Sequence, residues 1–140
     1  MALNVIGNMY GDYHAKIEDT LACSTAAAVT AGQAVYLASN VWASASTTNA
    51  IEGIVIKAAA AGGTPVVEYV VPGAMIEADL EGTLSSSLDP GVKTAILVSD
   101  ADCVDATAVT GGFLRVLSVD STNSKCVVVP TKTFLYNTST

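Results

Sequence analysis

The chain has one histidine, His14, and three cysteines, Cys23, Cys103 and Cys126, none at a C-x-x-C spacing. That scarcity excludes the Cys/His ligand clusters of a zinc site. It also makes any Ser-His-Asp or Cys-His arrangement depend on a single imidazole. An odd cysteine count without a motif argues against a disulfide framework, so the thiols read as small buried hydrophobes. No G-x-G-x-x-G and no G-K-[ST] phosphate loop occurs. The sequence thus calls for no cofactor and no metal, and no catalytic residue is assigned. Basic residues are scarce too: 6 Lys and Arg stand against 13 Asp and Glu, a net charge of −7. An acidic chain repels phosphate backbones, so nucleic acid is not an expected partner.

Charge is missing altogether from residues 20–51. Gln33, Asn40, Asn49 and many Ser and Thr interrupt that stretch, so it does not read as a membrane span. The N-terminus lacks the basic region and apolar block of a secretory signal, and synthesis in a cytoplasm is the expectation.

What the chain has is small, strand-compatible side chains. It contains 22 Ala, 18 Val, 15 Thr and 12 Ser among 140 residues. Val and Thr suit pleated, half-buried surfaces. In "GIVIKA", alternation sets Ile54 and Ile56 against Val55 and Lys57. In "VVEYVV", Val66, Glu68 and Val70 share one face and Val67, Tyr69 and Val71 the other. Gly62 and Gly63 supply a reversal between these strands. "GFLRVLSV" and "KCVVV" flank a polar turn, "DSTNS". Further strands are expected in "QAVYLAS", "AMIEADLEG", "VKTAILVS" and "TKTFLYN", while "DATAVTGG" is compatible with a short helix. Short strands with Gly/Pro punctuation predict an all-β antiparallel sandwich or small β-barrel.

The two halves share one pattern. Gly32 aligns with Gly91 and Gly53 with Gly112 at an offset of 59, since 112 − 53 = 59. Val70 and Val129 fall at the same offset, and Pro72 and Pro130 close each half. The expected organisation is an extended N-terminal arm over 1–20, one β domain over 21–136 with related modules at about 28–73 and 87–130, and a tail over 137–140.

Few residues offer chemistry. Glu77, Asp79 and Glu81 alternate along one strand and read as a wet, acidic face, although paired carboxylates can do acid/base work. Asp100, Asp102 and Asp105 form a D-x-D-x-x-D that lacks the Gly and closing Glu of an EF-hand loop, and they read as turn formers. Trp42, the only tryptophan, suits either the core or a buried interface anchor.

The order "AVTAGQAVYLASN", "EGIVIKAAAAGGTPVVEYVVPGAMIEADLEG" and "LDPGVKTAILVSD" resembles the capsid cement, or head decoration, proteins of tailed bacteriophages, over roughly Ala28–Pro130. The resemblance implies a small β-rich protein, often a homotrimer, on the exterior of an icosahedral head. Its partners would be itself and the major capsid protein, with no membrane involved. In such proteins an N-terminal arm does much of the gripping. That role would fall here on residues 2–19, with Met9, Tyr10, Tyr13 and His14 as candidate contacts and Trp42 as a further interface candidate. Two other readings remain: a different virion part, such as a fibre base, tail component or adhesin module, and a ligand module or enzyme using the Glu77–Asp79–Glu81 face.

Overall fold

A computed structural model describes residues 2–11, 13–45, 51–91, 93–94, 101–107 and 112–131. Among them are eleven strands and no helix. The strands are β1 (Leu3–Asn8), β2 (Ile17–Glu18), β3 (Ala34–Ala38), β4 (Val41–Ser44), β5 (Gly53–Lys57), β6 (Val66–Tyr69), β7 (Ala74–Glu81), β8 (Lys93–Thr94), β9 (Val104–Asp105), β10 (Leu114–Asp120) and β11 (Lys125–Pro130). They form two sheets, ordered β1-β7-β11-β10-β8 with β9 beside β7, and β2-β6-β5-β3-β4. The sheets pack as a sandwich and do not close into a barrel.

Local chemistry accounts for most of these elements. Strand β7 has the pattern of a half-covered strand, with Ala74, Ile76, Ala78 and Leu80 buried and the alternate residues partly wet. The segment around Trp42, expected as a polar connector, is strand β4. Ser39 and Asn40, with φ of 53° and 67°, form the two-residue loop that pairs Ala38 with Val41. Positive φ at both loop positions is the geometry whose twist matches a hairpin. In β5 the expected alternation breaks: a bulge at Ile56 shifts the register between Val55 and Lys57, leaving Ile56 48% exposed. Of "VKTAILVS", β8 takes Lys93 and Thr94, while 95–100 and "TKTFLYN" beyond Thr131 lie outside the described residues.

Within 1–20, expected to extend as an arm, Leu3–Asn8 and Ile17–Glu18 are built into the two sheets. β1 pairs antiparallel with β7, the Leu3 N–H donates to the Gly32 carbonyl at 2.9 Å, and β2 pairs with β6. The reason is edge satisfaction: unpaired strand edges gain hydrogen bonds when a segment docks on them.

The two halves repeat in their ladders. Gly53↔Tyr69, Ile54↔Glu68, Val55↔Val67 and Lys57↔Val66 correspond to Leu114↔Pro130, Arg115↔Val129, Val116↔Val128 and Ser118↔Val127. Every position moves by one offset, since 114 − 53, 130 − 69 and 128 − 67 all equal 61. The bulge recurs as well, at Leu117. β3 lies against β5 as β8 lies against β10, and β2 against β6 as β7 against β11. The repeating unit is therefore β2-β6-β5-β3, then β7-β11-β10-β8. The offset of 59 applies to the β3–β8 step, where Val35↔Gly53 becomes Thr94↔Leu114.

The units stack face to back. Val55 and Val67 point into a small core with Cys23, Val29, Val35 and Trp42, roofed by the loops at 20–30 and 58–63. Their counterparts Val116 and Val128 point into the large core between the sheets. Ile54, from the opposite face of the first unit, belongs to that same large core. Loop residues Leu88, Ala101 and Ala106, with Val104 of β9, fill its margin.

Glu18 pins the small core. It is 8% exposed, and its carboxylate accepts hydrogen bonds from Trp42 Nε1 (3.0 Å), Thr20 N (2.7 Å), Thr20 Oγ1 (2.6 Å) and Leu21 N (3.0 Å). Burial pushes its carboxyl up, but the hydrogen bonds from Thr20, Trp42 and Leu21 outweigh it and hold the group below its usual value of 4.5. A carboxyl lowered on folding adds stability above its unfolded pKa and loses it as pH falls through the folded value. Chemical denaturation should therefore show Glu18→Ala to be about 2–3 kcal/mol less stable at neutral pH. That deficit should shrink below pH 4.5. A deficit that does not change with pH would mean that the charge on Glu18 contributes nothing.

Candidate interface on the six-stranded sheet

The outer face of the six-stranded sheet is apolar at one end and acidic at the other. Ladder pairing places Met75 of β7 beside Gly7 of β1, with Val127 and Val129 on β11, and Leu117 at the bulge of β10. Ile6 adds a 48% exposed side chain at the β1 bulge. Towards the other end lie Glu77, Asp79 and Asp120. Asp79 takes a 2.9 Å ion pair from Lys125 and a 3.1 Å hydrogen bond from the Ala2 N–H. The Lys125 hydrogen bond, with lesser help from Ala2, holds the Asp79 carboxyl below its ordinary range.

Met9 and Tyr10 form the tip beyond β1. They are 50% and 78% exposed, yet their backbone is fixed. Met9 N–H donates to the Gly73 carbonyl (2.9 Å), Asn8 Nδ2 to the Pro72 carbonyl (2.9 Å), and Tyr10 N–H to Asn8 Oδ1 (2.8 Å). Gly73, at φ 82°, leaves the space that the Tyr10 ring occupies; a Cβ there would meet that ring and lie 2.7 Å from Asn8 Oδ1. Met9 and Tyr10 line a cleft of about 320 Å³ with Pro72, Leu117, Val129 and Pro130, and Arg115 at its rim. The Arg115 guanidinium donates to the Gly91 carbonyl at 2.7 Å.

The other candidates go elsewhere. Tyr13 and His14 line a separate cleft of about 190 Å³ between β1 and β6. Trp42 is fully buried, so it belongs to the core and takes no part in a surface of this chain; its ring meets Tyr69 at 5.9 Å and its Nε1–H goes to Glu18. The carboxylates Glu77, Asp79 and Glu81 do not converge as a catalytic pair: Asp79 is ion-paired, and Glu81 accepts from Cys103 Sγ at 3.1 Å. Asp105 accepts from Thr107 N and Oγ1 as a turn does. No group of three metal-ligating side chains occurs among the described residues. All three cysteines are buried and free. Burial raises the Cys103 thiol, with Glu81 adding to the effect, and burial carries Cys126 to about 12.

Sequence reasoning did not single out Ile6, Met75, Leu117, Val127 and Val129. One signal was present. The run of valines in "KCVVVP" puts apolar side chains on both faces of a strand, as expected where both faces are covered. β6, its counterpart, turns Val67 into the small core while Val66 and Glu68 on its other face are partly buried; the outer face of β11 has no cover among the described residues.

Replacing Gly73 by Ala should unseat Tyr10 and cost about 1–3 kcal/mol in chemical denaturation, as overpacking does. The Tyr10 ring resonances should change with it. An unchanged midpoint and an unchanged Tyr10 spectrum would mean that the tip does not rest on Gly73.

Comparison with models of known protein families, and with characterised proteins, finds no match to this chain.

Proposed function

We propose that this protein is a capsid cement, or decoration, protein that binds the exterior of an icosahedral phage head and braces major capsid subunits against packaged DNA. The observation that carries this reading is the outer face of β11 and its neighbours. Met75, Leu117, Val127 and Val129 there are only half-buried, with no cover among the described residues, and lie beside the exposed Ile6, Met9 and Tyr10. An apolar patch rimmed by polar residues marks an interaction surface. Aromatic and Met side chains suit the centre of such a contact.

The rest of the chain fits the same role. Two stacked units in one register make a stiff body, and bracing a lattice needs stiffness more than chemistry. The charge of −7 keeps free copies apart at high concentration. Assembly as a homotrimer would let three faces engage at once, multiplying affinity by ~10² to 10⁴ when the geometry permits.

The test is reconstitution on purified heads that lack the protein, read by co-sedimentation and by DNA retention on heating. The wild-type chain should bind saturably and raise the temperature of DNA release. The pair Met9→Ser and Tyr10→Ser should weaken binding by on the order of 10²-fold, the loss expected of hot-spot contacts. Absence of the chain from purified virions, its location on tails, or full binding by the double variant would overturn the reading.

A further inference from the structure

Glu68 occupies a position that a β-sandwich normally gives to an apolar residue. It lies opposite Ile54, which is part of the large core, and opposite Ile17 at the rim. Facing pairs share one side of the sheet, so Glu68 points into the mouth of the gap between the sheets. Its counterpart in the second unit is a valine, Val129, in the equivalent pair with Arg115. Nothing in the fold requires a carboxylate here.

The surroundings suit a ligand. Glu68 lines the cleft of about 190 Å³, with Val5, Gly7 and Ala74 from the six-stranded side and Tyr13 from the segment before β2. The six-stranded side adds no charged group to it. His14 and Lys16 lie on the same wall as Tyr13, and neither is ion-paired with Glu68. Among the described residues no hydrogen bond or ion pair reaches the Glu68 carboxylate, and burial alone pushes its carboxyl up. A partly desolvated carboxylate without a donor gains most from a cation that can hydrogen-bond to it. The volume falls short of the usual small-molecule pocket of about 300–1,000 Å³ and fits the head of one side chain. Tyr13 offers an aromatic surface on which a guanidinium can rest.

We propose that this cleft binds an organic cation, the guanidinium or ammonium head of a basic side chain, with Glu68 as its counter-ion. The site is separate from the outer face of the six-stranded sheet, and its test needs no capsid.

The full chain, isotope-labelled, is titrated at low ionic strength with methylguanidinium, with neutral methylurea, and with the blocked peptide acetyl-Gly-Arg-Gly-amide. Methylguanidinium should produce saturable shifts at the Glu68 carboxyl carbon and at the amides of Val5, Gly7 and Tyr13, and methylurea should produce none. Glu68→Gln should bind at least tenfold more weakly while keeping its amide spectrum. Glu68→Val, which installs the residue found at the equivalent position of the second unit, gives a second folded control. Tighter binding of the peptide assigns the site to a protein partner's basic side chain, and equal affinities assign it to a free guanidine or amine; either result supports the site. Absence of saturable shifts in the wild type, equal response to methylurea, or undiminished binding by both variants would overturn it.

Discussion

Ile56 and Leu117 each interrupt a β-ladder at the equivalent step of two hairpins, β5–β6 and β10–β11, and the residues beyond each bulge shift by one position relative to those before it. Side chains alternate with a period of two, so one added residue changes which of them face the core. Because both bulges fall at one place in the repeat, Gly53, Val55 and Val67 keep the same sense as Leu114, Val116 and Val128. The two units do not meet with like faces together. They stack in one direction, with the Val116 side of the second unit against the Ile54 side of the first.

A stack of that kind has two end faces, and the chain treats them differently. At the first end, Cys23, Val29 and the loop carbonyl of Ala60 roof the sheet. Cys23 Sγ donates to Ala60 O at 3.1 Å, and Val29 and Ala59 exchange backbone hydrogen bonds at 3.1 Å. Trp42 fills the space beneath, and Gly53 leaves room for Val67 beside it, since a Cβ there would meet the Val67 side chain. Within the charge-free span 20–51, a charge at Cys23, Val29, Ala34, Val35, Trp42 or Ala45 would be buried without a partner. The second end face has no such roof among the described residues. Its valines, Met75 and Leu117 stay half-buried, while Ile6, Met9 and Tyr10 stand out into solvent.

Period and punctuation made the strands legible. β7 and β11 show in the sequence because their alternation or valine content is sustained for six residues or more. The offset of 59 read from Gly32 and Gly91 fits only the β3–β8 step: in the hairpin Gly53 corresponds to Leu114 and Glu68 to Val129, so the expected pairings Gly53–Gly112 and Val70–Val129 do not hold, and β7 lies ahead of the expected module 87–130. Glycines mark turns, whereas the ladder is set by bulges, and nothing in "GIVIK" or "RVLSV" marks which residue is extruded. β4 was hidden because Ser-Asn is a weak hairpin signal compared with Asn-Gly and because Trp42 sits among small polar neighbours. The first twenty residues carry no alternation, since β1 is bulged at Ile6 and β2 is two residues long; their docking is decided by the edges they meet. Of the candidate contacts, Met9 and Tyr10 could be picked out as large apolar groups outside the repeat. The face they extend could be read only from strand pairing, which brings β1, β7, β10 and β11 together from opposite ends of the chain.

Charge and apolar surface divide the outer face between them, and this division bears on how the chain meets another body. Glu77, Asp79 and Asp120 lie away from the Met9–Tyr10 tip, and Arg115, which lines the cleft with Met9 and Tyr10, is bonded to the Gly91 carbonyl. At physiological ionic strength a charge is screened within about 8 Å, so the acidic end acts on what touches it and hardly beyond. Two copies approaching at their acidic ends therefore repel only on close contact, and the apolar end is left as the part of this face where burial is unopposed. Apolar burial is non-directional and gives adhesion without orientation. Under the proposed function, orientation would come from the carboxylate row beside it, which would favour a partner apolar at one end and basic or neutral at the other over one whose acidic groups fell on Glu77 and Asp120.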